Sequence, residues 1–147
     1  MSHNALSGRV PTEFGLLNTI WSLYLNYNSL SSNLPSTIGS MDSLTELRLQ
    51  VNSLQGSLPT ETGMLPFLQQ FFLRQNAMSG ALPSELGLMT YLANLDLSSN
   101  AFSGKLPSEL GMMEAMVYLD SNSNFFSGSI PTKLAQLSLL DELRLYN

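Results

Sequence analysis

Apolar positions along the chain alternate with polar ones in short bursts, and the bursts return every 24 residues. Leu23-Tyr24-Leu25, Leu47-Arg48-Leu49, Phe71-Phe72-Leu73, Leu95-Asp96-Leu97 and Leu143-Arg144-Leu145 share one register. A period of two predicts a strand with the outer pair of each triplet turned inward. An Asn follows at the same place in every repeat: Asn4, Asn28, Asn52, Asn76, Asn100 and Asn124. Two residues later come core-filling Leu30, Leu54, Met78, Phe102 and Phe126, then Gly56, Gly80, Gly104 and Gly128, which permit a sharp backbone turn. Ser32 stands at that turn in an earlier repeat, so its backbone either avoids the glycine-only conformation or carries strain.

A further apolar residue (Val10, Leu34, Leu58, Leu82, Leu106, Ile130) precedes a Pro, which suits an edge or irregular segment. Ser or Thr then follows, at Thr12, Ser36, Thr60, Ser84, Ser108 and Thr132, as the expected cap of a short helical turn. Glu13, Glu61, Glu85 and Glu109 sit at the positive end of that turn. Gly15, Gly39, Gly63, Gly87 and Gly111, with Ala135 in the last repeat, precede pairs such as Leu16-Leu17, Met64-Leu65 and Met112-Met113 that return the chain to the next strand. The internal Met residues are expected to fill gaps in the core rather than to bind a ligand.

One strand per repeat, always running the same way, predicts a stacked solenoid with a parallel sheet on one face. The coils fall at about 1–20, 21–44, 45–68, 69–92, 93–116 and 117–140, with a partial coil at 141–147, making residues 1–147 a single repeat domain. Met1 holds a strand position and Asn147 lies one residue before the place of a further Asn, so the chain reads as an uncapped slice of a longer solenoid. The Asn residues are expected to form a structural ladder, their amides pairing with backbone groups of the buried turn.

Composition narrows the partners. A net charge of −5 and scattered basic residues speak against nucleic acid. No apolar run approaches the ~20 residues of a membrane span, and the start has no signal-peptide pattern. The absence of Cys removes disulfides and thiol chemistry, and no Asn-x-Ser/Thr acceptor for glycosylation occurs. Nothing in the chain calls for a cofactor or a metal.

The unit L-x-x-L-x-x-L-x-L-x-x-N-x-L-S-G-x-L-P-x-x-L-G-x, written out from Met89 through Met112, resembles the plant-type leucine-rich repeat along the whole chain. The resemblance implies an α/β solenoid: a right-handed superhelix with a parallel β-sheet on the concave face, a second set of short strands near the Gly-x-Leu-Pro segment, and helical turns on the convex side. It further implies a non-enzymatic module that binds a protein or peptide, as part of an extracellular or plasma-membrane receptor-like protein. The alternative is a secreted inhibitor of a carbohydrate-active enzyme.

Three rows should face outward on the sheet: Tyr24, Arg48, Phe72, Asp96, Asp120 and Arg144; Asn26, Gln50, Arg74, Ser98, Asn122 and Tyr146; and Ser22, Glu46, Gln70, Asn94, Tyr118 and Glu142. They vary where the frame is constant, as a recognition face would. Tyr24, Arg48, Phe72 and Arg74 are the expected anchors, since aromatics and Arg dominate binding hot spots, with Asn26, Gln50, Asp96 and Asp120 beside them. Asp96 and Asp120, about one strand spacing apart, echo a glycosidase carboxylate pair, but an open sheet excludes no water and Arg144 can balance Asp120. His3, the only His, has no Cys nucleophile to serve, and no triad can be assembled from it. Ser121, at a core Leu position, predicts a locally soft coil.

Overall fold

The computed structural model describes residues 4–146; the expectations for Met1, His3 and Asn147 lie outside the described residues. Each repeat forms a three-residue strand that begins one residue before the alternating triplet and ends before the triplet's last residue: Ser22–Tyr24, Glu46–Arg48, Gln70–Phe72, Asn94–Asp96, Tyr118–Asp120 and Glu142–Arg144. They pair in parallel, in sequence order, into one six-stranded sheet. Partners lie one repeat apart, as in Leu23 with Leu47 and Leu47 with Phe71. This register holds because a slip of one residue would turn the buried Leu positions outward. The sheet lines the concave side of a right-handed leucine-rich-repeat-like superhelix, with helical turns opposite.

A second parallel sheet of six strands runs alongside, through Ser7–Gly8, Ser29–Asn33, Ser53–Gly56, Ala77–Gly80, Ala101–Gly104 and Phe125–Phe126. Five of these strands begin directly after the repeated Asn, and they end around the Gly that opens the Gly-x-Leu-Pro segment, beside the expected place. Their register is offset: Gln55 pairs with Ala77, and Ser79 with Ala101. The two sheets therefore follow the same repeat with different slants.

The helical turns, Thr12–Leu16, Ser36–Ser40, Thr60–Met64, Ser84–Leu88, Ser108–Met112 and Thr132–Gln136, are all 3-10 rather than α. Capping by Ser or Thr is not what the structure shows. The capping position belongs to the preceding Pro, in extended conformation, and no side chain bonds the turn's N–H groups. The hydroxyl stands one residue too late, already inside the turn, and in four coils donates to the adjacent Glu, as Thr60 does to Glu61 at 3.2 Å.

Between strand and second sheet the backbone reverses through left-handed residues at Tyr27, Val51, Gln75, Ser99 and Ser123, with φ of 53–58°. For β-branched Val51 that conformation is strained. Ser32 adopts φ 70°, so the first of these later turns does carry a side chain in a glycine-favoring region. The reversals are held by the Asn residues. Asn52 Oδ1 accepts the Leu30 N–H at 3.0 Å, while its Nδ2 donates to the carbonyls of Leu25 at 2.9 Å and Leu49 at 3.0 Å. Asn28, Asn76, Asn100 and Asn124 make corresponding bonds, each tying its own coil to the preceding one.

Leu47, Leu49, Leu54, Leu65, Leu68, Phe71 and Leu73 are fully buried in a core that runs the length of the stack. Most Met residues contribute to it: Met41, Met78, Met89, Met113 and Met116 are buried. Met64 and Met112 instead face solvent, contrary to the gap-filling expectation, because in these coils only the second residue of the return pair turns inward; in the first coil both Leu16 and Leu17 are exposed.

Ser121 is 3% exposed, and its Oγ has no hydrogen-bond partner. It borders a recess of about 160 Å³ lined also by Leu106, Phe126, Ile130 and Leu145. Ser121→Leu is expected to fill part of this space and remove an unsatisfied hydroxyl, stabilizing the chain by about 1–2 kcal/mol. In a thermal melt the midpoint should rise by about 3–8 °C. A fall would show that the hydroxyl serves a partner.

Candidate functional site

The concave sheet places the three rows side by side, with Ser98 and Asp120 buried within them, and the first begins with a stack. Tyr24, Arg48 and Phe72 are directly paired across adjacent strands. The Arg48 guanidinium carbon lies 5.2 Å from the Tyr24 ring center and 5.4 Å from that of Phe72. Both distances fit cation–π attraction to a ring face. Glu46, two residues before Arg48 on the same side of its strand, fixes the stack from below: it accepts from Arg48 Nε at 2.5 Å and from the Tyr24 hydroxyl. Burial pushes the Glu46 carboxyl upward, but the hydrogen bonds from Tyr24 and Arg48, together with the Arg48 charge, outweigh it and hold the group below the usual carboxylate range.

Beside this stack lies the second row. Arg74 is exposed and makes no salt bridge among the described residues. Asn26 and Gln50 are half-buried, and Gln50 Oε1 is buried without a hydrogen-bond partner. This end of the face thus offers aromatic surface, an orientated cation and a free cation together. Glu46, which the anchors depend on, was legible only as a member of the flanking row; the Glu-x-Arg spacing on one strand face was its signal.

The other end is self-satisfied. Asp96 accepts the Ser98 N–H at 3.0 Å and its hydroxyl at 2.6 Å. Asp120 is only 3% exposed, so it does not present itself to a partner. Its Oδ1 accepts from the Asn122 N–H at 3.0 Å and Nδ2 at 2.6 Å, and its Oδ2 from the Tyr118 hydroxyl at 3.0 Å. Arg144 reaches Asp120 at 3.5 Å, pairs with Glu142 at 2.5 Å, and places its guanidinium carbon 5.6 Å from the Tyr118 ring. Burial, then the Asp120 hydrogen bond, pushes the Tyr118 hydroxyl up to about 12. Asp96 and Asp120 are register neighbors, but Asp96 Oδ1 and both Asp120 oxygens are engaged in local bonds rather than set around a glycosidic bond. Among the described residues no group of three or more His, Cys, Asp or Glu is placed to hold a metal ion.

The Leucine Rich Repeat family model matches residues 19–41 and 91–113. A chain of the BIR3–SERK2 complex from Arabidopsis thaliana is 32% identical with a TM-score of 0.76, over 86% of this chain and 69% of that one. The chain belongs to the plant-type leucine-rich-repeat family. This leucine-rich-repeat chain also superposes on the plant peptide hormone receptor RGFR1, solved in complex with RGF2, at 34% identity and a TM-score of 0.95. That match covers 97% of this chain and 23% of the receptor. The Arabidopsis receptor kinase HAESA, solved with the peptide hormone IDA and the co-receptor SERK1, matches at 34% identity and a TM-score of 0.92, over 97% of this chain and 24% of HAESA. The leucine-rich-repeat chain spans about a quarter or less of the first such receptors it matches. No curated protein sequence matches it. No helix among its described residues is long and apolar enough to cross a membrane.

Proposed function

We propose that the chain is a non-enzymatic, extracellular recognition module of a receptor-like protein, and that it binds a protein or peptide across the first half of its concave sheet. The observation that carries this reading is the stack of Tyr24, Arg48 and Phe72 beside the unpaired Arg74. A pre-ordered Arg between two rings costs little entropy to engage, and such residues supply most binding energy where they occur. A matching partner offers an apolar side chain to the rings and a hydrogen-bond acceptor to Arg74. The solved complexes of RGFR1 with RGF2 and of HAESA with IDA support a peptide partner by family likeness. Asn26 and Gln50 complete the contact face, Asp96 borders it on the fourth strand, and Asp120 lies buried beyond.

Peptides selected from a random displayed library on the intact chain test this. Those that bind the concave face should lose at least about tenfold in affinity on Tyr24→Ala or Phe72→Ala, and a similar amount on Arg74→Ala. Binders indifferent to all three changes would place recognition elsewhere.

A further inference from the structure

The convex side carries a feature that concave recognition does not use. Met64, Leu88 and Met112, the last residues of three successive 3-10 turns, are 64%, 61% and 49% exposed. Next to them Phe67 and Tyr91 are also exposed, with ring centers 6.2 Å apart. Solvated turns have no need of five large apolar side chains, and a contiguous apolar patch on a soluble surface marks an interaction site.

The patch has an acidic border. In a 3-10 helix residues three apart eclipse, so Glu61, Glu85 and Glu109 project from the same side of each turn as Met64, Leu88 and Met112. Their carboxylates accept from Thr60, Ser84 and Ser108, each at 3.2 Å, and none forms a salt bridge among the described residues. The strip is bounded: coil two has Thr37 and Ser40 at the paired positions, and coil six has Lys133 and Gln136. At Ser40 the apolar row drops into an open depression of about 500 Å³ between Leu16 and Met64.

We propose that this ridge docks a basic amphipathic α-helix of a partner protein. The turns expose no strand edge for an extended segment to join. Coils step by about 4.8 Å on the concave sheet and by more on the outside of the arc, close to the 5.4 Å pitch of an α-helix. One apolar stripe of such a helix lies along Met64, Leu88 and Met112, its Lys or Arg residues meet the Glu row, and a bulky side chain at its end enters the depression at Ser40. A second copy of this chain would bring Glu row against Glu row, and an anionic membrane would be repelled in the same way.

The test uses a fluorescent helical peptide of roughly 20 residues with a Leu stripe flanked by Lys, titrated onto the intact chain by anisotropy. A scrambled peptide of equal composition and a Glu-flanked version serve as controls. Binding should be confined to the ordered Lys peptide and weaken with salt. It should fall at least about tenfold in Leu88→Ser/Tyr91→Ser and in Glu61→Gln/Glu85→Gln/Glu109→Gln, with melting temperatures unchanged. Ser40→Tyr, which fills the depression, should weaken it as well, while Phe72→Ala on the concave face should not. Equal binding of the scrambled peptide, or no loss in the ridge variants, overturns the proposal. So does a dimer dispersed by Leu88→Glu, or sedimentation of the chain with phosphatidylserine vesicles.

Discussion

Asn100→Ala is expected to destabilize the chain by about 3–5 kcal/mol, because it strands several buried backbone groups at once. Asn100 is 9% exposed. Its Oδ1 accepts the Met78 N–H at 3.1 Å, and its Nδ2 donates to the carbonyls of Leu73 at 3.0 Å, Leu97 at 3.1 Å and Ser98 at 3.2 Å. Alanine supplies neither acceptor nor donor, and the site is too enclosed for water to restore four bonds with good geometry. The bonds to Met78 and Leu73 reach into the preceding coil, so the change also loosens the interface on which a stacked repeat depends. Urea unfolding measures the total. Amide exchange supplies the specific readout: the Met78 N–H should lose protection more than core amides of distant coils. If Met78 stayed as protected as in the wild type, the amide would not be the acceptor that holds it.

Gly63→Ala should cost about 3 kcal/mol, near the upper end for overpacking, although no unusual φ is involved. A Cβ there would stand 2.2 Å from the carbonyl oxygen of Glu85 and 2.6 Å from its carbonyl carbon. Backbone of the next turn cannot swing aside as a side chain can, so the two turns must separate. Gly80 provides the contrast. It lies at φ 81°, yet a Cβ would meet nothing closer than Ser57 Cβ at 3.5 Å. Gly80→Ala should therefore cost only the left-handed penalty of about 1–2 kcal/mol. Paired denaturation curves decide the order; a larger loss at Gly80 would mean that conformation rather than close stacking sets the requirement. Ala135 holds the position equivalent to Gly63 in the sixth coil, where it is exposed and no further turn packs on it among the described residues.

The same close approach brings Met64, Leu88 and Met112 into one continuous ridge, so packing at the glycines shapes the outer surface as well as the core. This was not legible beforehand. A glycine at a fixed place in each repeat reads equally as a turn residue or as a contact residue, and only the neighboring coil distinguishes them. The depth of Asp120 was hidden for a related reason: alternation tells which side of a strand a residue takes, whereas its burial depends on Tyr118 and Arg144 closing over it.

The sequence by itself determined the repeat length, the one-repeat register of the concave strands and the three outward rows. These follow from local alternation copied at a constant interval, and identical units stack only one way without exposing their Leu positions. Tertiary structure alone decided the offset pairing of the second sheet, the replacement of hydroxyl caps by Pro, the coupling of Glu46 to Arg48 and Tyr24, and which half of each return pair faces water. Each of these depends on distances between coils, and a single chain's pattern carries no record of those distances until the coils are stacked.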